Sequence, residues 1–415
     1  MTKFLVYTAP ATGHVFPLVP GLLELQRRGH DVHVRTLAGL AEPLEAAGLS
    51  VSPVSDDVTA VEITDFQAES DTERLRSGQV DLISRGRYDG PDLADAIATT
   101  RPDVVLVDAI AYGAQTVAEA SPLPSAMLLP SVLPWPGRGI PPYGLGLRPG
   151  TGPVARVRDA VLWKVVERMF GRAMLPGLNE LRREAGLAPY RSPLDQYVAH
   201  DAVIVMTGEP LEYPRSDLPA HIHLVGAQPW DPPSERPGWL DEPGDPWVLV
   251  TCSTDYQGDE DLARVAVEAL RDEPVRVLLT LADAYDSAGL ESSGNVRVER
   301  FVPHGHVLPE CAAVVCHGGF GIVSKAMAAG VPSVVVPFGR DQPEIARRVS
   351  EAGAGVTLPP KRLTPERLRA AVAEARALAP SAQRAAEVLR SHSGPDRFAD
   401  AALSVAGSEV TGCRA

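Results

Sequence analysis

The stretch that decides the fold is "AAVVCHGGFGIVSKAMAAG", Ala312 to Gly330. An apolar run ends in His317-Gly318-Gly319, and a helix of small residues begins within a few positions. Strand, glycine turn and helix in that order form the repeating unit of parallel α/β sheets. Glycines at a helix start let a ligand approach N–H groups that lack intrahelical partners and carry the positive end of the dipole. Gly318, Gly319 and Gly321 therefore suit a diphosphate, and His317 can add a side-chain donor. The other use of such a turn is to pack the helix tightly on the sheet. It is not a Walker loop, because no G-K-[ST] follows. Lys325 lies one helical repeat beyond Gly321, so the two share a face, with Gly318 added if the helix reaches back that far. Helical side chains lean toward the N-terminus, so Lys325 either reaches toward the ligand or is directed to solvent.

The same alternation runs outward in both directions. The first half offers the strands "KFLVYTA", "DVHVRTL", "DVVLVDA", "PSAMLL" and "AVIVMT"; the second offers "WVLVTCS", "VRVLLTL", "VRVERF", "AAVVCHG" and "PSVVVPF". Runs apolar on both faces are those of parallel strands covered by helices on both sides. Two such series predict two doubly wound, Rossmann-like α/β domains. The segment between them, Gly226 to Pro246, is dense in proline, glycine and acid, a linker composition. The division is then 1–225, a linker at 226–246, a second domain at 247–380, and a C-terminal helix and tail at 381–415 that packs back on the first domain.

With 415 residues, two domains are the default. A net charge of −14 argues against nucleic acid as a partner. Cys252, Cys311, Cys316 and Cys413 have no zinc-ligand pairing, which fits a reducing cytoplasm. The N-terminus does not read as a signal peptide, and no apolar stretch is long enough for a membrane span.

Open α/β sheets bind ligands where strands end. The first strand is followed by Gly13 and His14, and the strand "DVVLVDA" ends at Asp108. A histidine near its ordinary pKa is the usual general base at neutral pH. A carboxylate at the same edge can fix its tautomer by accepting from Nδ1–H. Taken singly, His14 can be a structural loop histidine and Asp108 the cap of the next helix. Ser253 and Thr254 end another strand where a diphosphate can reach, and Asp341-Gln342 follows a buried strand with the chemistry for sugar hydroxyls. The Asp259–Asp261 D-x-D opens a helix, where acids are favoured without a metal. No metal is assigned to His221/His223 or His304/His306. The Pro- and Gly-rich segment Leu128–Pro153, with Trp135 and Tyr143, reads as a long loop that carries function, the other reading being a merely structural surface loop.

Gly13-His14, Asp108, "RFVPHGHVLPECAAVVCHGG", "AAGVPSVVVPFGRDQ" and the two-domain order together resemble the GT-B nucleotide-sugar glycosyltransferases. The likeness is to the bacterial family-1 enzymes that decorate antibiotics and other natural products, and it spans nearly the whole chain. It implies an N-terminal domain for a hydrophobic small-molecule acceptor and a C-terminal domain for the nucleotide-diphosphate sugar, with neither metal nor cofactor. It makes His14 the base for an acceptor hydroxyl, with Asp108 orienting it, and gives Gly13, Trp135 and Tyr143 to the acceptor site. Thr254, His317, Gly318, Gly319 and Gly321 would hold the diphosphate. Phe301 and Val302, with Lys325, would meet the nucleoside, and Asp341 and Gln342 the sugar. The donor implied is a thymidine-diphosphate deoxysugar, with a uridine-diphosphate sugar as the alternative, and a homodimer is compatible with the likeness.

The departures are Ile322 for a threonine, Lys325 for a ribose-binding glutamate, Ser253 for a strand-end glycine and Ile345 for an asparagine. They motivate a second expectation, a GT-B protein that binds ligand or assists a transferase. A nucleotide-sugar epimerase stands third, since it needs no large apolar acceptor loop.

Overall fold

The computed structural model describes residues 1–68, 71–253 and 260–407. Seven strands build the first sheet: β1 (Lys3–Tyr7), β2 (Asp31–Thr36), β3 (Ser50–Pro53), β4 (Val104–Asp108), β5 (Ser125–Leu129), β6 (Ala202–Val205) and β7 (Ile222–Leu224). They are ordered β3-β2-β1-β4-β5-β6-β7, and every pairing is parallel. The second sheet holds β8 (Trp247–Thr251), β9 (Arg276–Thr280), β10 (Val296–Glu299), β11 (Cys311–Cys316), β12 (Ser333–Val335) and β13 (Gly355–Thr357). Its order is β10-β9-β8-β11-β12-β13, also all parallel. Strand order reverses between β1 and β4 and again between β8 and β11. These switch points are where two loops leave a sheet in opposite directions and open a crevice.

The strands read from sequence are present. β3, β7 and β13 are additional, and all three are short outer strands. An edge strand packs less completely, so "SVSP", "IHL" and "GVT" lack the two-sided apolar signal. Central strands alternate between two cores. Phe4, Val6 and Leu106 enter one layer, and Leu5, Tyr7, Val105 and Val107 enter the other. The second sheet is covered in the same way on both faces.

The chain returns to its first half later than the boundary at 381 predicts. Helix Ala379–Arg390 packs through Ala382, Ala385 and Leu389 against helix Phe320–Ala328 of the second half. Alanines on that face allow close helix–helix approach, so the return begins only with helix Gly394–Ala406. That helix lies on helix Val19–Arg27, where Phe398 is fully buried over Gly21. A Cβ at Gly21 would sit 2.3 Å from the Phe398 ring. Arg28 bonds Glu24, Asp396 and Asp400 at the rim.

The two crossings touch. A Cβ on Gly394 would lie 2.8 Å from Gln228 Cγ, and one on Gly226 (φ +101°) would lie 3.8 Å from Gly394 Cα. The linker itself is pinned. Arg236 donates to the His306 carbonyl, and Trp239 packs edge-on to Trp247 at 5.4 Å.

Candidate active site

At the first switch point, β1 ends at Tyr7 and a single helical turn, Thr12–Val15, carries Gly13 and His14. β4 ends at Asp108, which is completely buried. His14 Nδ1 donates to both Asp108 oxygens, at 2.9 and 3.1 Å. Asp108 Oδ1 also accepts from the Ile110 N–H at 2.9 Å, so the carboxylate is fixed by its own turn. The following helix, Tyr112–Ala120, is capped by Ala111, so Asp108 is not its cap. With Nδ1 engaged, Nε2 is the ring nitrogen left to accept a proton. Burial pushes His14 down, but the charge and hydrogen bond of Asp108 outweigh it and hold the imidazole above its ordinary value. Arg85 opposes that rise and Asp341, from the other half of the molecule, adds to it. Gly13 is exposed, and a Cβ there would touch nothing.

At the second switch point β11 delivers His317, which is buried, followed by Gly318 at φ +100°. A Cβ on Gly318 would lie 2.8 Å from Val335, and one on Gly319 would lie 2.5 Å from His317 Nε2. The imidazole therefore lies over the backbone of Gly319, where a side chain would expel it. Gly319 is the N-cap of helix Phe320–Ala328, and neither a capping side chain nor an acid occupies its first turn. Space above Gly321 is open. Donors without intrahelical partners, a positive dipole end and a histidine thus face one place. Gly318 lies outside the helix, so only Gly321 shares the face of Lys325. Thr254 falls outside the described residues.

Lys325 is not directed to solvent. Its ammonium meets Asp231 of the linker at 2.6 Å and lies 5.8 Å from the Phe16 ring, itself edge-on to Trp230. Asp231 also accepts from the Gly305 N–H at 2.9 Å. Neighbouring His304 bonds Thr280, and burial with the Lys325 charge pushes it down to about 4. Phe301 is 56% exposed at the end of β10, and Val302 is buried beside it. Ile322 and Ile345 are buried in the apolar core, so those two departures serve packing and offer no polar contact. Among the described residues no group of three or more His, Cys, Asp or Glu side chains comes together as a metal site.

Asp341 occupies the N-cap position of helix Gln342–Glu351 without a side-chain capping bond, and its Oδ2 accepts from Ser131 Oγ at 2.8 Å. Gln342 is buried, and its Oε1 accepts from the N–H groups of Phe338 and Gly339, closing the loop before the helix. The long segment after β5 contains no regular element before helix Pro153–Glu184, only a bridge between Gly137 and Ile140. It sends its two aromatics to different places. Trp135 packs edge-on to Tyr197 within the first half, whereas Tyr143 packs against the core of the second. Burial pushes the Tyr143 phenol well above its ordinary range, with Asp341 adding to the effect.

Sequence reasoning missed the residues that join the halves: Asp65, Arg74, Ser131, Glu212, Asp231, Arg340 and Arg348. Glu212 and Arg348 are both almost fully buried and meet at 2.6 Å. No periodic signal marks such pairs, because their partners are far apart in the chain.

The family described as "Erythromycin biosynthesis protein CIII-like, C-terminal domain" matches residues 267–403. The chain is 32% identical over 383 residues to the 4'-demethylrebeccamycin synthase of Lentzea aerocolonigenes, covering 89% of this chain and 90% of that one. Among solved structures it is similar to the glycosyltransferase of kitacinnamycin, with a TM-score of 0.75 at 23% identity over 98% and 100% of the two chains. It is also similar to the glycosyltransferase VinC in complex with dTDP, with a TM-score of 0.68 at 23% identity over 97% and 99%. These two share the arrangement of paired parallel sheets.

Proposed function

Because this chain belongs to the bacterial GT-B family-1 natural-product glycosyltransferases, we propose that it moves a sugar from a nucleoside diphosphate to a hydroxyl of a hydrophobic aglycone, with inversion. His14 Nε2 takes the acceptor proton. The acceptor oxygen forms a bond to the anomeric carbon as the bond from that carbon to the diphosphate oxygen breaks. The leaving diphosphate keeps the bonding electron pair. The observation that carries this reading is the His14–Asp108 pair, a poised base at a switch point that feels the charge of Asp341 across the cleft. The same pair speaks against a purely auxiliary role, which needs no base.

The diphosphate is received by Gly318, Gly319, Gly321 and His317, whose fixed dipoles stabilise the charge that develops as it departs. That role needs no metal, and the reaction as written uses no other cofactor. Phe301 and Val302 meet the nucleoside base, with the Lys325–Asp231 pair near the ribose. Asp341 and Gln342 meet the sugar. Of the two, Asp341 offers the carboxylate, while Gln342 Oε1 shapes the loop. The acceptor lies between His14, Trp135 and Tyr143, and the donor is a thymidine-diphosphate deoxysugar. The enzyme acts in the cytoplasm; among the described residues no helix is long and apolar enough to cross a membrane.

The test is a panel of dTDP- and UDP-sugars with aromatic and polyketide aglycones, read by mass spectrometry for a glycosylated product, alongside thermal-shift titration with dTDP and UDP. Glycoside formation together with a stabilising shift by one nucleotide is the expected result. Absence of both overturns the reading.

A further inference from the structure

Three contacts from the first half converge on one short loop of the second, Phe338 to Gln342. Arg74 Nη1 donates to the Phe338 carbonyl at 2.7 Å, and its guanidinium lies against Gly339. Asp65, which is 4% exposed, takes Arg340 in a two-pronged pair, Nε to Oδ2 at 2.8 Å and Nη2 to Oδ1 at 2.7 Å. Ser131 Oγ donates to Asp341 at 2.8 Å. Arg340 adopts φ +55°, a left-handed backbone that a non-glycine residue takes only when its surroundings require it. The helix beginning at Gln342 is held a second time further along, where Arg348 meets Glu212 and the Leu211 carbonyl. Glu212 in turn accepts from the Leu133 N–H, and Arg215 from the same segment bonds the Leu133 and Trp135 carbonyls.

Forked pairing of a guanidinium with a carboxylate fixes direction as well as distance. Asp65 therefore sets the path of the chain at Arg340 and, with Ser131, the orientation of the Asp341 carboxylate next to it. The phosphate cradle at Gly318 and Gly319 receives none of these three contacts. We propose that Asp65 and Ser131, although they belong to the acceptor half, are positioning residues for the donor sugar. They hold the Phe338–Gln342 loop in the geometry that presents Asp341 to it, so the sugar is gripped only when the halves are latched. The inference rests on the assignment of Asp341 to the sugar.

Its signature is a separation between two ligands that differ only by the sugar. Asp65→Asn and Arg340→Gln should each lower kcat/KM for the nucleotide-sugar by about 10- to 100-fold, the scale of a small misplacement at a reacting centre. The dissociation constant of the sugar-free nucleoside diphosphate, measured by calorimetry, should stay at the wild-type value. The double variant should lose no more than the worse single one, because both remove the same pair. Ser131→Ala, a change too small to endanger folding, should raise the donor KM with nucleotide affinity unmoved. Overturning results are wild-type donor kinetics in Ser131→Ala and Asp65→Asn, equal losses for nucleotide and nucleotide-sugar, or additive losses in the double variant. Asp341→Ala separates the two levels. If it leaves the donor KM unchanged, the sugar-site assignment fails. If it raises that KM while Asp65→Asn and Ser131→Ala do not, only the latch fails.

Discussion

The two sheets reach their switch points by the same topology but present different things there. The first ends its central strands in side chains, His14 and Asp108, joined at 2.9 Å and backed by the Ile110 N–H. The second ends in backbone, a left-handed Gly318 and an N-cap Gly319 under an imidazole. A proton must be taken by an atom with a tunable pKa, which backbone lacks. A spread-out anion is met by several small fixed dipoles, which side chains would obstruct. The comparison teaches that one edge should be sensitive to losing a side chain and the other to gaining one.

Deleting the proton acceptor is the severest way to probe this. His14→Ala should cost about 10²–10⁴-fold in kcat, the usual worth of general-base catalysis. Calorimetry with the nucleoside diphosphate should show nearly unchanged affinity. An unimpaired turnover would end the case for His14 as base.

Next in size is Asp108→Asn, which removes the main influence that raises His14 and leaves burial, which lowers it, as the largest remaining one. In the wild type, activity falls as pH drops through a His14 pKa above the ordinary 6.5. In the variant, the pH profile of kcat/KM should carry its acid limb at lower pH, with a reduced plateau because the tautomer is no longer enforced. An acid limb that stays in place would assign it to another group.

The converse experiment adds an atom. Gly318→Ala places a Cβ against Val335 in a backbone conformation that disfavours it, a strain of about 1–3 kcal/mol. Nucleoside diphosphate affinity should fall accordingly, whereas the pH dependence set by His14 should not move. Gly13→Ala, with open space around it, is the matched addition at the first edge and should leave nucleoside diphosphate affinity at the wild-type value.

The smallest effect belongs to Lys325. Lys325→Met breaks a partly exposed pair with Asp231 and should lower stability by about 1 kcal/mol, read as a lower Tm. Lys325→Glu should be worse than methionine, since it sets two carboxylates together beside the Gly305 N–H. If both variants melt like the wild type, the pair contributes nothing to the linker.

How much could be read in advance follows from the range of the interactions. Asp108 and His317 sit at the end of apolar runs and His14 in the turn that follows one, so the strand pattern alone placed all three at sheet edges. β3 and β13 escaped because an edge strand need not be apolar on both faces. Lys325 was legible as a position on a helix face but not in its partner, because Asp231 lies 94 residues away in a proline-rich segment. Asp65 and Arg340 are 275 residues apart, and neither belongs to a periodic pattern. Their pairing exists only once two separately wound sheets face each other.

The late return of the chain bears on attempts to recombine this enzyme with its relatives. Donor preference invites the exchange of second halves at the linker, with the graft running to the C-terminus. Such a hybrid would import a foreign helix over Gly21, at a seam where a single methyl group already collides with the Phe398 ring. The natural cassette instead runs from β8 to Arg390 and leaves the Gly394–Ala406 helix with its host. A recombinant cut at both crossings, where Gly226 and Gly394 meet, keeps Phe398 on the glycine it was fitted to.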